Sequence, residues 1–176
     1  MCPILRASGE RGPRSTVHPH WSVLLSLLVL ILLANGLPAL LGLLLGRARP
    51  LDGGRTWTDG RPVLGQSKTW RGLFASLLAT PLAGLALGIP WYLGLGVALG
   101  AMSGDLVASF IKRRLGLRSG ESAPVLDQLP ESLIPVLLLM EPLGLGWTDT
   151  GVLVLAFALL DLILTPLARR VLGRRS

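Results

Sequence analysis

The chain has 176 residues, of which 51% are hydrophobic and 15% charged, and its formal net charge is +7 at pH 7. Long apolar runs with this balance are typical of a multi-spanning helical membrane protein. In such a protein, basic residues between the spans contact anionic lipid and set the orientation in the membrane. We therefore expect no nucleic-acid partner. The single cysteine, Cys2, excludes an intramolecular disulfide, a thiol metal site and a redox pair.

The N-terminal part of the chain consists of a polar tail and a long apolar run. Residues 1–20 contain three prolines and predict a disordered tail. The apolar run from Trp21 to Gly46 is too long for the core of a signal peptide, and no clear small-residue cleavage site follows a short core. It therefore predicts a retained first span, and residues 21–176 predict one multi-pass membrane catalytic domain.

Four further apolar runs predict an all-α integral membrane protein with about five transmembrane helices. The second and third runs meet at a minimal corner, Gly88-Ile89-Pro90. The fourth begins near Pro130, which suits a first helical turn, and its later prolines predict a break or a tilt. The predicted second to fifth spans are Gly72–Ile89, Pro90–Ile111, Leu129–Leu145 and Gly151–Ala168.

The basic residues predict how the chain is oriented in the membrane. With five spans, one face receives residues 47–71, residues 112–128 and the C-terminal tail, which together hold 14 of the 17 lysines and arginines. Basic residues favour the cytosolic side. The pattern predicts an outside N-terminus, a cytosolic C-terminus and two cytosolic polar loops in the cell membrane, so a site on these loops would face the cytosol.

Charged residues at the end of the third span are energetically costly in a membrane, so they are expected to have a structural or chemical role. Asp105, Ser109 and Lys112 stand at positions i, i+4 and i+7, so they share one helical face, with Arg113 beside them. The alternative is an interfacial salt bridge without chemistry. A ridge of small residues on the same helix lets another helix approach closely and consists of Gly96, Gly100 and Gly104.

The first polar loop, residues 47–71, contains features that are typical of a phosphate-binding site. Its glycines let backbone N–H groups converge on an anion, and Lys68 and Arg71 bracket the N-terminus of the second span. The spacing does not match a Walker A loop. A solvated, positively charged loop is the alternative, and Trp57 and Trp70 are predicted interfacial anchors.

The second polar loop leads to two carboxylates that lie four residues apart. If the turn is helical, Asp127 and Glu131 are presented together. With Asp105 they supply the hard oxygen ligands that Mg²⁺ prefers. For Glu131 the alternative is an acid that simply favours a helix start.

The positions of the histidines narrow the chemistry. His18 and His20 lie in the N-terminal tail, so no histidine is available on the predicted cytosolic face as base, nucleophile or ligand. Serine-hydrolase and zinc mechanisms are therefore disfavoured. Metal-assisted phosphoryl or nucleotidyl transfer remains.

Several motifs occur in a fixed order and together resemble the CDP-archaeol synthase family, a relative of the bacterial CDP-diacylglycerol synthases. The resemblance covers about residues 35–145. The motifs are Leu51-Asp52-Gly53-Gly54, Asp59-Gly60-Arg61, Gly65-x-x-Lys68-Thr69-Trp70-Arg71-Gly72, Gly104-Asp105-Leu106-x-x-Ser109-Phe110-x-Lys112-Arg113-Arg114-x-Gly116 and Pro124-x-Leu126-Asp127-Gln128.

This resemblance implies transfer of CMP from CTP to an anionic lipid phosphate, giving a CDP-activated lipid and pyrophosphate, with Mg²⁺. It implies Asp105, Lys112 and Asp127 as catalytic residues, and Asp52 and Asp59 as weaker candidates for ligands or loop-ordering residues. The implied metal ligands are Asp105, Asp127 and Glu131, and the implied groups for the phosphates are Lys68, Thr69, Arg71, Ser109, Lys112 and Arg113.

The chain departs from the family pattern at one position. The pattern continues Asp-Gln-x-Asp, whereas this chain has Pro130 at the place of the second acid and Glu131 one residue later. Either Glu131 replaces the missing carboxylate or the metal shell differs.

Three other functions fit parts of the sequence. A CDP-alcohol phosphotransferase would need an Asp-x-x-x-Asp completion that is missing here. A small transporter or flippase would use Asp105 and Asp161 as intramembrane couplers. A non-enzymatic membrane protein that has lost the family's activity is the third. In the enzyme interpretation, we expect Asp161 to support the cavity rather than to act in catalysis.

Overall fold

The computed structural model describes residues 21–46, 48–121 and 123–172, and the predicted N-terminal tail lies outside them. Each of the five predicted apolar runs forms a helix, with ends that differ from the prediction by a few residues. The helices are α1 (Trp21–Leu45), α2 (Trp70–Ala86), α3 (Trp91–Arg114), α4 (Pro124–Met140) and α5 (Trp147–Leu172). Of the described helices, α1, α3 and α5 are long and apolar enough to cross a membrane.

The start of α4 corrects the sequence prediction. Pro130 was expected in the first turn, but α4 begins at Pro124, and Pro130 lies inside the helix. Pro124 sets the start because its fixed φ and missing N–H suit the first helical position. The predicted break is also absent, since the helix continues through Pro135 and ends before Pro142. As a result, Asp127 and Glu131 occupy successive turns of one helix.

The five helices form a closed ring. Each helix packs against its neighbours in the chain, α5 returns to α1, and α1 also contacts α3 across the ring. The apolar core lies at the end of the ring that carries the short α2–α3 and α4–α5 turns. It is built mainly from Leu24, Leu27, Leu30, Ile31, Ile89, Val97, Val136, Leu139, Leu145, Leu153 and Phe157.

The most extensive helix contact joins α3 to α4 and confirms the predicted glycine ridge. A Cβ atom added at Gly100 would lie 2.6 Å from the Cα atom of Pro135, and one added at Gly104 would collide with the carbonyl of Pro130. Only glycine allows the two backbones to approach this closely. This contact places the carboxylates of α4 beside Asp105, the one carboxylate of α3.

A second ridge of small residues, not predicted from the sequence, lies on α2. Its buried face repeats every fourth residue and consists of Gly72, Ser76, Thr80 and Gly84. A Cβ atom at Gly72 would lie 2.9 Å from the Cβ atom of Pro38 on α1. The corner after α2 is as predicted, with Gly88 at a φ of 76°. Both ridges reach the polar end of the ring, since Gly104 precedes Asp105 on α3 and Gly72 lies in the first turn of α2.

Candidate active site

The loop between α1 and α2 is ordered by its own backbone. Leu51 N–H donates to the carbonyl of Lys68 at 2.8 Å, and Trp70 N–H donates to that of Arg49 at 3.2 Å. These bonds bring the two ends of the loop together. The loop therefore presents Lys68 at a fixed place next to the start of α2.

Asp52 organises the interior of this loop. Its carboxylate accepts hydrogen bonds from the backbone N–H groups of Gly54, Leu64 and Gly65, each at 2.9 Å. Burial alone would raise the pKa of Asp52, but these hydrogen bonds to the charged form outweigh it and leave the pKa below its ordinary value. Of its two predicted roles, the structure places Asp52 in loop ordering.

The tip of the same loop is fastened to the C-terminal end of α3. Arg114 Nη1 lies 2.7 Å from Asp59 Oδ1, and Arg114 Nη2 donates to the carbonyl of Pro62 at 2.5 Å. In the other direction, Arg61 Nη1 donates to the carbonyl of Arg114. The aromatic rings of Trp57 and Phe110 meet edge to face near this contact, 5.4 Å apart. Asp59 is thus also a loop-ordering residue.

Two ion pairs between different elements lie behind this loop. Lys68, from the loop, pairs with Asp105 on α3. Lys112, two helical turns further along α3, lies 2.6 Å from Asp127 on α4. All four side chains are largely buried, so these pairs interact in surroundings that screen charge less than water does. The third-span residues Asp105 and Lys112 share one face, as the spacing predicts.

The two ion pairs line a single cavity of about 220 Å³, called the polar cavity below. Glu131 also lines it and lies against the Asp105 carboxylate. The cavity is lined by residues of all five helices and of the loops that follow α1 and α3. Its ionisable lining residues are Lys68, Asp105, Lys112, Glu121, Asp127, Glu131 and Asp161.

The charge of this lining bears on what the cavity can hold. Five carboxylates face two lysines, so the lining carries a formal charge of −3 if all are ionised. A triphosphate would be repelled from such a cavity unless cations accompany it. Carboxylate oxygens are the ligands that Mg²⁺ prefers, so the donor chemistry fits this ion.

Two details describe the carboxylates as potential metal ligands. Asp127 Oδ1 is buried and has no hydrogen-bond partner among the described residues, although it is ion-paired with Lys112 Nζ. Within the described ranges, no three acidic, histidine or cysteine side chains already converge as a metal site would require. The aspartates are held by lysines instead, so metal binding would exchange ion pairs for metal–oxygen bonds.

The predicted phosphate-binding residues divide into three groups. Lys68, Thr69 and Lys112 line the polar cavity, and Thr69 also caps α2, accepting from Gly72 N–H at 3.2 Å. Arg71 lines a neighbouring cavity. Two predicted residues line neither cavity and are buried, Ser109 at 2% exposure and Arg113 at 3%.

The polar cavity includes Asp161, which the sequence analysis expected to support it, and Glu121, which the sequence did not single out. Asp161 Oδ1 accepts from Thr165 Oγ1 at 2.8 Å, and Asp161 Oδ2 accepts from Gln128 Nε2 at 3.4 Å. The cost of a carboxylate in the middle of an apolar helix was the signal that marked Asp161. Glu121 gave no such signal, because it lies in a polar loop.

Comparisons with known proteins agree on one family. A family model described as CarS-like, CDP-archaeol synthase, matches residues 21–93 and 84–169. A CDP-archaeol synthase of Methanopyrus kandleri is 45% identical over 127 residues, covering 69% of this chain and 72% of the relative. That of Methanosphaerula palustris is 38% identical over 146 residues, covering 74% and 85%.

A solved structure is similar as well. It belongs to an intramembrane enzyme for archaeal membrane lipid biosynthesis and superposes with a TM-score of 0.66 at 34% sequence identity. The similarity covers 80% of this chain and 91% of that one. The helical ring and its order of elements are therefore those of a known intramembrane enzyme.

Proposed function

Since the chain belongs to the CarS-like family of CDP-archaeol synthases, we propose that it transfers CMP from CTP to a membrane lipid phosphate. The products are a CDP-activated lipid and pyrophosphate. The observation that carries this proposal is the polar cavity, in which Lys68, Asp105, Lys112, Asp127 and Glu131 come together from one loop and two helices. Family membership favours this enzyme over a transporter or an inactive relative.

The reaction takes place at the α-phosphorus of CTP. An oxygen of the lipid phosphate forms a bond to this phosphorus, and the bond to the oxygen that bridges to the β-phosphate breaks. The electron pair of that bond leaves with pyrophosphate. No covalent enzyme intermediate is needed, so the protein acts by positioning the phosphates and stabilising their charge.

The two lysines supply fixed positive charge for the triphosphate and the departing pyrophosphate. Asp105 and Asp127 hold Lys68 and Lys112 in place before substrate binds, since each aspartate pairs with one lysine. Preorganised charge of this kind costs little reorganisation during the reaction. Thr69 has a hydroxyl hydrogen left to donate to a phosphate oxygen, because its oxygen is the acceptor in the α2 cap.

Asp105, Asp127 and Glu131 would hold Mg²⁺. Bound there, the ion supplies neutralising charge for the nucleotide phosphates. Glu131 takes the role of the second acid of the family pattern, because it lines the cavity beside Asp105 whereas Pro130 packs its backbone against Gly104.

We infer that all five helices cross the membrane, with the N-terminus outside and the polar cavity facing the cytosol. Helices α2 and α4 have 17 residues each, at the short end of the usual range for a span. Exposed aromatic side chains at the starts of α1, α3 and α5 support a membrane interface at that end of the ring, and the basic residues of the loops at the other end support the orientation. The aromatic residues are Trp21, Trp91, Tyr92 and Trp147.

Cysteine labelling tests the topology. In a Cys2→Ser background, Arg118→Cys places a thiol in the loop after α3, and Glu141→Cys places one in the turn after α4. A membrane-impermeant maleimide applied to intact cells should label only the second variant. Labelling of Arg118→Cys from outside would contradict the proposed orientation.

The activity is tested with purified protein, labelled CTP, Mg²⁺ and a panel of lipid phosphates that includes archaeol phosphate. A labelled CDP-lipid is expected with at least one of them. Failure with every lipid phosphate, while a CDP-archaeol synthase of known activity forms product in parallel, would contradict the proposed function.

A further inference from the structure

A second cavity lies beside the polar cavity, between α1 and α5. Its volume is about 490 Å³, and its walls are mainly apolar. Its lining combines small residues of α1 with larger apolar side chains that are exposed at the protein surface. The small residues include Gly36, Ala39 and Gly42, and the larger ones include Leu40, Leu43 and Leu164. We refer to it as the apolar groove.

The apolar groove and the polar cavity share a wall. The residues that line both are Gly36, Pro38, Ala39, Ser67, Thr69, Asp161 and Thr165. The groove is therefore apolar along α1 and at Leu164 and Ala168 of α5, and it becomes polar at the first loop and at the shared wall. A ligand that occupied both spaces would have a hydrocarbon part and an anionic or strongly polar part.

The guanidinium group of Arg71 lies where the apolar groove meets the first loop. Arg71 Nη2 donates to the carbonyls of Leu41 at 3.1 Å and Gly46 at 2.7 Å, which fixes the guanidinium at this end of the groove. Arg71 Nε is buried and has no hydrogen-bond partner among the described residues. A fixed cation at the polar end of an apolar groove suits a lipid with an anionic headgroup.

We propose that the apolar groove binds a hydrocarbon chain of the lipid phosphate substrate, with Arg71 near its headgroup and the phosphate reaching the polar cavity. This inference rests on the proposed function. A lipid phosphate must bring its phosphate to Lys68 and Lys112 while its chains remain in apolar surroundings, and the groove is an apolar surface continuous with that cavity.

One of the small lining residues offers a direct way to fill the groove. A Cβ atom added at Gly42 would meet no atom within 4 Å, so a larger side chain there would extend into open space. Gly42 lines the groove and not the polar cavity. Gly151, on α5, is an equally open helical glycine that lines neither cavity, so it is a matched control.

The test compares Gly42→Leu with Gly151→Leu in the CMP-transfer assay. Gly42→Leu should raise the KM for a long-chain lipid phosphate at least tenfold, leave the KM for CTP unchanged, and leave turnover of a short-chain lipid phosphate unchanged. Gly42→Ala should have a smaller effect in the same direction, and Gly151→Leu should match the wild type. An unchanged KM for the long-chain lipid, or an equal rise in both KM values, would overturn the proposal.

A second measurement uses the unaltered protein, so it does not depend on the folding of a variant. A lipid phosphate with a photoreactive group in its chain is bound, irradiated and mapped by mass spectrometry. Crosslinks should fall on the α1 and α5 residues that line the groove, and excess unlabelled lipid phosphate should suppress them. The inference would be overturned if only neutral membrane lipid, and not unlabelled lipid phosphate, suppressed the crosslinks. It would also be overturned if the crosslinks fell on other helices. Absence of CMP transfer in the wild type would instead count against the proposed function.

Discussion

Lys68 in the first loop is ion-paired with Asp105 on α3, although 37 positions separate them in the chain. The pair joins a loop that begins at the end of α1 to the polar face of a helix that packs against α4. It brings a cation for phosphate within reach of the carboxylates proposed to hold Mg²⁺. The loop and the helices thus form one site.

The first prediction concerns the two paired aspartates. Asp105→Asn and Asp127→Asn should each lower kcat at least about 100-fold, the scale on which loss of one preorganised charge interaction acts. Asparagine has nearly the same shape, so the fold should be retained, but at lower stability because each variant leaves a largely buried lysine without its carboxylate. Glu141→Gln, at an exposed carboxylate in the turn after α4, is the matched control and should keep full activity. If both asparagine variants remained fully active, the site assignment would be wrong.

Glu131 should behave as the second acid of the site. Glu131→Gln should lower activity and raise the Mg²⁺ concentration needed for half-maximal rate at least tenfold, because a carboxylate ligand is lost. Glu131→Asp, which keeps the charge, should recover part of the activity. The measurement is a Mg²⁺ titration of the initial rate. An unchanged titration curve for Glu131→Gln would exclude Glu131 from the metal shell.

The contact between α3 and α4 should depend on Gly104. Gly104→Ala places a methyl group against the Pro130 carbonyl, so the helices must separate. Overpacking of this kind costs about 1–3 kcal/mol, and it should also lower activity because Asp105 and Glu131 lie on the same two helices. Gly151→Ala, in open space, should not destabilise the protein. Thermal unfolding in detergent measures both variants, and equal melting temperatures would contradict this account.

The lowered pKa of Asp52 predicts that the stability of the protein depends on pH. The folded-state pKa of Asp52 lies below its ordinary value of 3.8, so its charged carboxylate stabilises the loop above that pH. This stabilisation is lost as the pH falls through the folded-state pKa. Asp52→Asn should lower the melting temperature near pH 7, where about 1 kcal/mol corresponds to about 2–4 °C for a chain of this size.

The same comparison supplies its own internal check. The difference between wild type and Asp52→Asn should shrink as the pH is lowered below about 4, because the wild-type carboxylate then becomes protonated. A difference that stayed constant from neutral to acidic pH would mean that the charge of Asp52 does not stabilise the loop.

The sequence predicted the helices, and it singled out several residues that line the polar cavity, for physical reasons that act locally. Apolar length defined the helices, and helical spacing placed Asp105 and Lys112 on one face. The glycine ridge indicated a close helix contact, but only the fold identified α4 as the partner. Pro130 misled the prediction of where α4 begins, because Pro124 and Pro130 both suit a helix start and tertiary packing decided between them.

The pairing of side chains across elements was beyond sequence reasoning. The local sequence does not specify that Lys68 pairs with Asp105, because this pair depends on how the loop packs on α3. The pair of Lys112 and Asp127 depends in the same way on how α4 packs on α3. The position of Arg71 in the apolar groove, apart from Lys68, depends equally on backbone carbonyls of α1 and the residue that follows it. The apolar groove itself arises from the packing of the first helix on the last.

The most direct test of the account follows the two ends of the triphosphate separately. Purified protein is given a lipid phosphate and CTP labelled either at the α-phosphate or at the γ-phosphate, and lipid and water phases are counted. The account predicts that the α-label enters the lipid while the γ-label is released as pyrophosphate, and that neither occurs with Asp105→Asn. Transfer of the γ-label to lipid, or no label in lipid while a known CDP-archaeol synthase works in parallel, would contradict it.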